Sequence, residues 1–206
     1  MECKVGASAV LYRNGGVKSK LRYQLGSLHH HTVYEGEGIR ILLGTKLIRE
    51  QWGIWSANIY IDNCASIAAT TLTKPNPGHY IFDAIHDSIV ATCKKHPSIK
   101  IKIKWVPGHK GVQGNKMVDE QVKKAIIIGN SDLDRLPTLL QKTLPHSKSA
   151  LKQAHSKRLK QKTQKIWLAS KRYDHMKKMD PIAPLNKYVN LITPLPRKLA
   201  SILFQL

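Results

Sequence analysis

Residues 105–115 read Trp-Val-Pro-Gly-His-Lys-Gly-Val-Gln-Gly-Asn, and Asp119 follows a few positions later. Isoleucine and lysine alternate over residues 99–104, which predicts a β-strand with one apolar and one basic face. A Pro-Gly pair ends the strand, and a helix is predicted from about residue 114 to 128. This order puts His109 on a loop and Asp119 in the first turns of a helix, so a proton carrier and a carboxylate are directed at one cleft.

The charge of the chain predicts an anionic partner. The 206 residues include 34 Lys and Arg against 13 Asp and Glu, a formal net charge of +21. Such an excess repels itself in a compact state, so a nucleic-acid backbone is the first candidate partner and an anionic membrane surface the second. The length alone suggests one domain with a substantial core and an appendage.

Cysteine usage and hydropathy predict an intracellular protein. Cys3, Cys64 and Cys93 are odd in number and lack Cys-x-x-Cys spacing, which favours reduced thiols over disulfides or a zinc site. The sequence has no apolar run of about 18 residues, and residues 1–5 pass directly into strand-like sequence without a signal segment. We therefore expect the protein to be intracellular, in the nucleus or the cytoplasm. We also expect a monomer that does not bind membranes.

The first fifty residues predict a β-hairpin followed by a helix. Residues 5–12 and 18–25 are strand-like, and the Arg-Asn-Gly-Gly turn between them is a strong hairpin signal. Residues 32–50 carry apolar side chains at helical spacing, with Thr32 as the predicted N-cap. Three glycines in this helix each cost about 1 kcal/mol relative to alanine, so tertiary packing must hold it. These glycines are Gly36, Gly38 and Gly44.

The remaining elements complete a mixed α/β pattern. A buried strand is predicted at residues 58–62, a short helix at 64–71 and a longer helix that ends near His96-Pro97. With the strand and helix around His109, the order is strand, strand, helix, strand, helix, helix, strand, helix. We predict that residues 1–132 form this domain.

Composition changes after residue 132. Between Lys148 and Lys178 there are eleven Lys or Arg residues and one acid, Asp174, with apolar residues interleaved. We predict that residues 133–206 form a basic helical extension punctuated by prolines, although a boundary near residue 146 is equally defensible. Nucleic-acid binding and a solvated disordered segment are equally good interpretations of this extension.

The residues around His109 and Asp119 resemble the last strand, loop and helix of type 1 ribonuclease H domains. The resemblance is greatest to the domains of fungal non-LTR, LINE-like retrotransposon reverse transcriptase polyproteins, and it spans about residues 4–128. It implies a ribonuclease H-like mixed sheet with flanking helices. It also implies endonucleolytic cleavage of RNA in RNA/DNA hybrids.

By this resemblance, Glu37, Asp62 and Asp119 hold the metal ions and His109 assists proton transfer. Glu37 corresponds to the helix glutamate of the family, Asp62 to its strand-end aspartate and Asp119 to the aspartate of its last helix. Two divalent ions about 4 Å apart can activate water and stabilise the leaving oxygen, and Mg²⁺ prefers carboxylate ligands. The implied cofactor is Mg²⁺, with Mn²⁺ as the alternative.

The chain departs from the family at its first strand. In the family, an Asp-Gly-Ser stretch on a central strand supplies a metal-bridging carboxylate, but here only Glu2 precedes the hairpin. Either the chain starts too late in its gene, or this copy of the gene has decayed. We expect that the chain alone binds Mg²⁺ poorly and cleaves slowly or not at all.

Other interpretations of the same residues stay open. Glu37 could be an ordinary solvated helix residue, Asp62 a helix cap, Asp119 a partner of the helix dipole and His109 a loop histidine. A metal site at His29, His30 and His31 is less convincing than a solvated loop. We predict that Trp52, Trp55 and Trp105 are core or cleft-wall residues.

Three rival functions compete with the ribonuclease. The first is a catalytically inactive nucleic-acid-binding remnant of a retroelement. The second is a transposase or integrase of the same fold, which Asp119 disfavours because the last acid there is usually Glu. The third is a basic, chaperone-like RNA binder with equal affinity for all polyanions.

Overall fold

The computed structural model describes residues 3–71, 78–107, 113–174, 177, 190 and 193–205. The chain divides into two compact units, Met1–Lys152 and Gln153–Leu206. The first unit contains every sequence-predicted site residue. Its strands are β1 (Lys4–Arg13), β2 (Gly16–Ser27), β3 (Ser56–Ile61) and β4 (Lys100–Trp105). Its first four helices are α1 (Val33–Arg49), α2 (Cys64–Ala69), α3 (His79–Lys95) and α4 (Gln113–Ile128).

The predicted hairpin is confirmed. Strands β1 and β2 pair in antiparallel fashion, with Arg13 opposite Gly16 at the turn. Asn14 and Gly15 between them have φ values of 53° and 80°. Two consecutive positive φ values are typical of the type I′ turn, which matches the twist of the strands and favours the Asn-Gly pair.

Helix α1 begins where the sequence predicts. Thr32 is the N-cap: its hydroxyl accepts a hydrogen bond from the Glu35 amide, and the Glu35 side chain accepts one from the Thr32 amide. This capping box satisfies two amides that the helix itself leaves unpaired. Eleven residues of α1 are buried, including Glu37, which fits the expectation that packing holds this glycine-containing helix.

The remaining strands form a second, separate sheet. β3 and β4 pair in parallel, with Ser56 opposite Lys100 and Ile61 opposite Trp105. The mixed α/β class is confirmed, but the strands form two two-stranded sheets and not one mixed sheet. Within the described residues, no strand joins β1 to β3 by backbone hydrogen bonds.

The core of the first unit extends past residue 132. Leu136, Leu140 and Leu144 are buried with the side chains of α1 and the hairpin. Leu140 lies in the short 3₁₀ helix Thr138–Gln141, Leu136 directly follows the 3₁₀ helix Leu133–Arg135, and Leu144 lies three residues after the second of these helices. The change of composition at residue 132 therefore precedes the boundary between the two compact units, Met1–Lys152 and Gln153–Leu206. The division into a domain of residues 1–132 and an extension of residues 133–206 stays a prediction.

The basic region beyond residue 147 contains helices. α5 (Lys148–Leu168) begins in the first unit, and α6 (Arg197–Gln205) lies in the second. Within α5 only Ala150 is buried, and Leu151, Leu159 and Ile166 are exposed. None of the described helices combines the length and hydropathy of a membrane span.

Candidate active site

Three of the predicted site residues line one cavity. Glu37, Asp62 and Asp119 all border a cavity of about 510 Å³ in the first unit. They come from α1, from the end of β3 and from α4, so residues separated by more than eighty positions in sequence meet at one place. Their proposed roles as catalytic and metal-binding groups stay a prediction.

Local contacts position each carboxylate. Asp62 directly follows β3, and its main-chain oxygen accepts a hydrogen bond of 3.2 Å from the indole Nε1 of Trp105. The Ser8 hydroxyl of β1 donates to the Val118 carbonyl at 2.8 Å and ties α4 to the hairpin beside Asp119. Glu37 lies one turn beyond the capping box of α1.

The Glu37 carboxyl lies in a mixed electrostatic field. Burial raises its pKa, the Arg40 guanidinium opposes this effect, and the negative charges of Asp62 and Asp119 raise the pKa further. Glu37 is 7% exposed, so solvent screens these interactions only weakly. The three carboxylates therefore interact electrostatically.

Arg40 lies between two of the carboxylates. Its Nη1 is 3.1 Å from Oε1 of Glu37 and 4.0 Å from Oδ1 of Asp62. Its Nε is buried and has no hydrogen-bond partner among the described residues. Sequence analysis missed Arg40, although the Glu37 and Arg40 spacing of three positions on a helix is a recognisable ion-pair signal.

The described acids do not form a three-ligand site for one metal ion. Their oxygen donors have the right chemistry for Mg²⁺. However, no group of three His, Cys, Asp or Glu side chains in the described part of the chain is close enough to hold one. Coulombic interaction reaches further than a metal–oxygen bond, which explains how the acids can be coupled without forming a ligand set. The guanidinium of Arg40 already supplies a positive charge between Glu37 and Asp62.

His109 lies outside the described residues, as does most of its loop. On either side of that loop, Val106, Gly114 and Asn115 line the same cavity as the acids. The role of His109 stays a prediction.

The three consecutive histidines differ in their exposure to solvent. His29 and His30 are exposed, but His31 is only 5% exposed. The ring of His30 stacks on His146 at 4.0 Å, and His31 packs edge-on against the same ring at 6.2 Å. The solvated-loop interpretation is therefore wrong for His31, because a later segment of the chain covers it.

A basic and aromatic surface lies on the sheet beside Asp62. Lys100, Lys102 and Lys104 of β4 and Tyr60 of β3 are exposed, and Lys104 Nζ lies 6.0 Å from the Tyr60 ring centroid. We call these four residues the lysine face. Trp105 next to it is 54% exposed, and Trp52 and Trp55 are exposed by more than 70%. The prediction of core or cleft-wall residues is therefore wrong as regards the core, and none of the three tryptophans lines the cavity of the acids.

The family comparison covers the strand, loop and helix that opened the sequence analysis. Residues 59–127 match the family model for RNase H. The match covers 69 of the 206 residues and includes Asp62, His109 and Asp119, whereas Glu37 lies before it. It supports a ribonuclease H domain, a class of nucleic-acid-binding hydrolases, and the small sheets with flanking helices are consistent with that fold. No curated protein matches the chain.

Proposed function

We propose that this protein cleaves the RNA strand of RNA/DNA hybrids as an endonuclease. The observation that carries the proposal is that Glu37, Asp62 and Asp119 line one cavity. Two of the three lie in the segment that matches RNase H. The retroelement origin is part of the proposal and rests on the sequence resemblance.

The proposed roles follow from the chemistry of phosphodiester hydrolysis. Water adds across one P–O bond, so the attacking water must lose a proton and the leaving oxygen must gain one. We assign the water-orienting role to Asp62 and Asp119, which are more exposed than Glu37. His109, which lies in sequence between the cavity-lining residues Val106 and Gly114, is assigned to proton transfer. Divalent ions, Mg²⁺ or Mn²⁺, would supply charge neutralisation when bound.

The position of Arg40 between Glu37 and Asp62 leads us to expect a low rate of RNA cleavage. A divalent ion that bound between Glu37 and Asp62 would have to displace the guanidinium or lie beside it, and like charges repel. We therefore propose that the chain alone turns over slowly and binds Mg²⁺ weakly.

The lysine face is the proposed surface for substrate. Its lysines are exposed along β4, with Lys104 opposite Tyr60 at the end of the sheet nearest Asp62, and they can contact phosphates, while Tyr60 offers a ring for stacking. Discrimination of RNA from DNA requires contacts to 2′-hydroxyl groups, which we assign to polar groups at the mouth of the cavity such as Asn115.

Cleavage of a hybrid with a labelled RNA strand tests the function. We expect slow, Mg²⁺-dependent cleavage of the RNA strand by the wild-type chain. Asp62→Asn and Asp119→Asn should abolish it. Asp132→Asn is the matched control, because Asp132 is exposed and does not line the cavity.

Two outcomes would contradict the proposal. Equal activity in Asp119→Asn and wild type would show that a contaminating nuclease or another site cleaves the RNA. Tight binding of the hybrid with no turnover at any Mg²⁺ or Mn²⁺ concentration would support the alternative, an inactive nucleic-acid-binding remnant.

A further inference from the structure

Two tryptophans are exposed on the loop between α1 and β3. Trp52 is 75% exposed and Trp55 is 73% exposed. Folding normally covers most of a tryptophan side chain, because the indole ring carries a large apolar area. Neither ring lines the cavity that the acids border, so the exposure of the two rings is a separate feature of the surface.

Hydrogen bonds hold the loop that carries the two rings. The Arg13 guanidinium donates to the carbonyl oxygens of Trp52 and Gly53, at 3.0 and 3.3 Å. The Lys100 amide donates to the Trp55 carbonyl oxygen at 2.9 Å. Gly53 between the rings has a φ of 59°, a left-handed conformation that favours glycine. The rings therefore lie on an ordered loop, which lowers the entropy cost of binding a ligand there.

Lys95 covers one face of the Trp52 ring. Its Nζ lies 4.5 Å from the ring centroid, where the ammonium is attracted by the negative face of the ring. The same Nζ donates a hydrogen bond of 2.8 Å to the Arg49 carbonyl oxygen, so the position of the cation is fixed. An ammonium can occupy only one face of a ring. Because Trp52 is so largely exposed, its opposite face is open to a planar ligand.

The charge around this loop is positive. Arg13, Lys95 and Lys100 are exposed beside it. Glu50, two residues before Trp52, forms an ion pair of 3.2 Å with a lysine of its own helix, so its negative charge is partly compensated. Aromatic rings beside cations are complementary to nucleic-acid bases and their phosphates. We call one set of four residues the tryptophan platform: Trp52, Trp55, Arg13 and Lys95.

The lysine face connects the tryptophan platform with the candidate active site. β3 begins one residue after Trp55 and ends one residue before Asp62, a length of about 20 Å for six residues. Along the neighbouring strand, Lys100 lies opposite Ser56 at the first end and Lys104 lies at the second. A nucleic-acid strand that follows these lysines would lead from the candidate site to the platform.

An anionic membrane surface is the competing partner, because tryptophan and lysine are also common at membrane interfaces. However, the exposed neighbours of the two tryptophans are Gly53, Ser56 and Asn58, which are small or polar. Insertion into a membrane surface needs a larger contiguous apolar face. Two rings beside fixed cations fit stacked bases better.

We propose that the tryptophan platform binds unpaired bases of a single-stranded nucleic acid. Bases stack on Trp52 and Trp55, while Arg13 and Lys95 contact the flanking phosphates. The proposal concerns binding alone and does not depend on nuclease activity, because stacking requires neither the carboxylates nor a metal ion.

A comparison of two oligonucleotides with the same charge tests for stacking. One is an oligothymidylate of about ten nucleotides, and the other has the same number of phosphates but only abasic sugars. We expect the full chain to bind the oligothymidylate at least about tenfold more tightly, as measured by fluorescence anisotropy of end-labelled probes. EDTA in the buffer prevents metal-dependent cleavage, so the result is independent of the proposed function.

A double variant tests the location. In Trp52→Ala, Trp55→Ala we expect the two probes to bind with affinities equal within about twofold, while the affinity for the abasic probe stays as in wild type. Trp52→Phe, Trp55→Phe retains two aromatic rings and should keep most of the preference. The matched control is Ile127→Ala, Ile128→Ala, which removes two exposed apolar side chains of α4 and should bind as wild type does. If the double alanine variant fails to fold by circular dichroism, the two single alanine variants decide, and each should lose part of the preference.

Three results would overturn the proposal. One is equal affinity of the wild-type chain for the two probes, which would reduce binding to electrostatic attraction. Another is an undiminished preference for bases in the double alanine variant, which would place the stacking on other aromatic residues. The third is tight binding to phosphatidylserine vesicles that the double alanine variant loses, which would assign the two rings to a membrane surface.

Discussion

At the scale of single residues, Arg40 governs the charge of the candidate site. It contacts Glu37 and approaches Asp62 from a helix position three residues after Glu37. Without it, three carboxylates would face one cavity with no contacting cation among the described residues. We therefore expect Arg40 both to stabilise the fold around these carboxylates and to oppose the binding of a divalent ion.

Replacing Arg40 should lower the stability of the protein and raise its affinity for Mg²⁺. We expect Arg40→Gln to lower the free energy of unfolding by about 1–3 kcal/mol in the absence of divalent ions, because the carboxylates lose their counter-charge. Millimolar Mg²⁺ should then raise the melting temperature of Arg40→Gln more than that of wild type. Thermal unfolding with and without Mg²⁺ measures both effects.

Lys46→Gln is the control for this prediction. Lys46 forms an ion pair of 3.2 Å with Glu50 on the same helix and does not line the cavity. Surface pairs of this kind contribute about 0–1 kcal/mol. An identical response of Lys46→Gln and Arg40→Gln to Mg²⁺ would show that Arg40 does not compete with metal.

The environment of His31 changes its pKa. Burial lowers its pKa from the ordinary value of 6.5, Glu35 opposes this shift, and the neighbouring His146 and His30 add to it. Its Nδ1 is 3.9 Å from Glu35 Oε2. The neutral form is therefore favoured in the folded chain.

This lowered pKa predicts an acid-sensitive stability. Below 6.5 and down to the folded-state pKa, the unfolded chain binds a proton at His31 that the folded chain does not, so stability falls as the pH falls through this window. We expect His31→Phe to flatten the dependence of melting temperature on pH between about 5 and 7. His29→Phe, an exposed neighbour, should leave the dependence as in wild type. A His31→Phe curve parallel to the wild-type curve would refute the assignment.

At the scale of elements, the three glycines of α1 have different packing environments. A Cβ atom at Gly38 would lie 3.0 Å from Ile81 Cγ2 and 3.4 Å from Phe82 Cζ, so this glycine allows the close approach of α3. A Cβ atom at Gly36 would lie 3.0 Å from Val5 Cγ1 of β1. Gly44 has no such close contact, because a Cβ atom there would meet only Ile59 Cγ2 within 4 Å, at 3.9 Å, and it lines the cavity of the acids.

Alanine should therefore have opposite effects at two positions of one helix. Gly44→Ala is expected to stabilise the protein by about 0.5–1 kcal/mol through helix propensity. Gly38→Ala gains the same propensity but overpacks the contact with α3 at a cost of about 1–3 kcal/mol, so we expect net destabilisation. Denaturant unfolding of both variants measures the difference. Stabilisation by both would mean that α3 can move aside freely.

At the scale of the whole molecule, the net charge of +21 acts through particular surfaces. Part of this charge lies at the cavity, on Arg13 and Arg40, and part on the lysine face, which is the surface that we propose for substrate. The lysines of α5 are exposed along the helix and belong to the region where the sequence leaves two interpretations open.

Removing the lysine face should change the salt dependence of binding. Each phosphate contact contributes about 0.7–0.9 to the slope of log K against log salt concentration, so a triple change should lower the slope by about 2–3. The test variant is Lys100→Gln, Lys102→Gln, Lys104→Gln, and the charge-matched control is Lys18→Gln, Lys20→Gln, Lys123→Gln. Fluorescence anisotropy with a labelled RNA/DNA hybrid measures the slope. Equal slopes for the two variants would place the phosphate contacts elsewhere.

Much of the local structure followed from sequence because its signals are local. The Asn-Gly turn, the Thr32 cap and the alternation of isoleucine with lysine each depend on neighbours a few residues away, and the structure confirms all three. The exposed tryptophans and the burial of His31 could not be read this way, since distant segments decide which side chains are covered. His31 is covered by His146, more than a hundred residues later.

The sequence by itself determined the order of strands and helices, the residues able to carry acid chemistry and the need for an anionic partner. These depend on periodicity, side-chain type and charge, which can be read directly from the amino-acid sequence. Only the tertiary structure decided that the described strands form two sheets, that Arg40 lies between Glu37 and Asp62, and that three carboxylates share a cavity without forming a three-ligand metal site among the described residues. Such features depend on distances between elements, and a sequence of residues does not contain those distances.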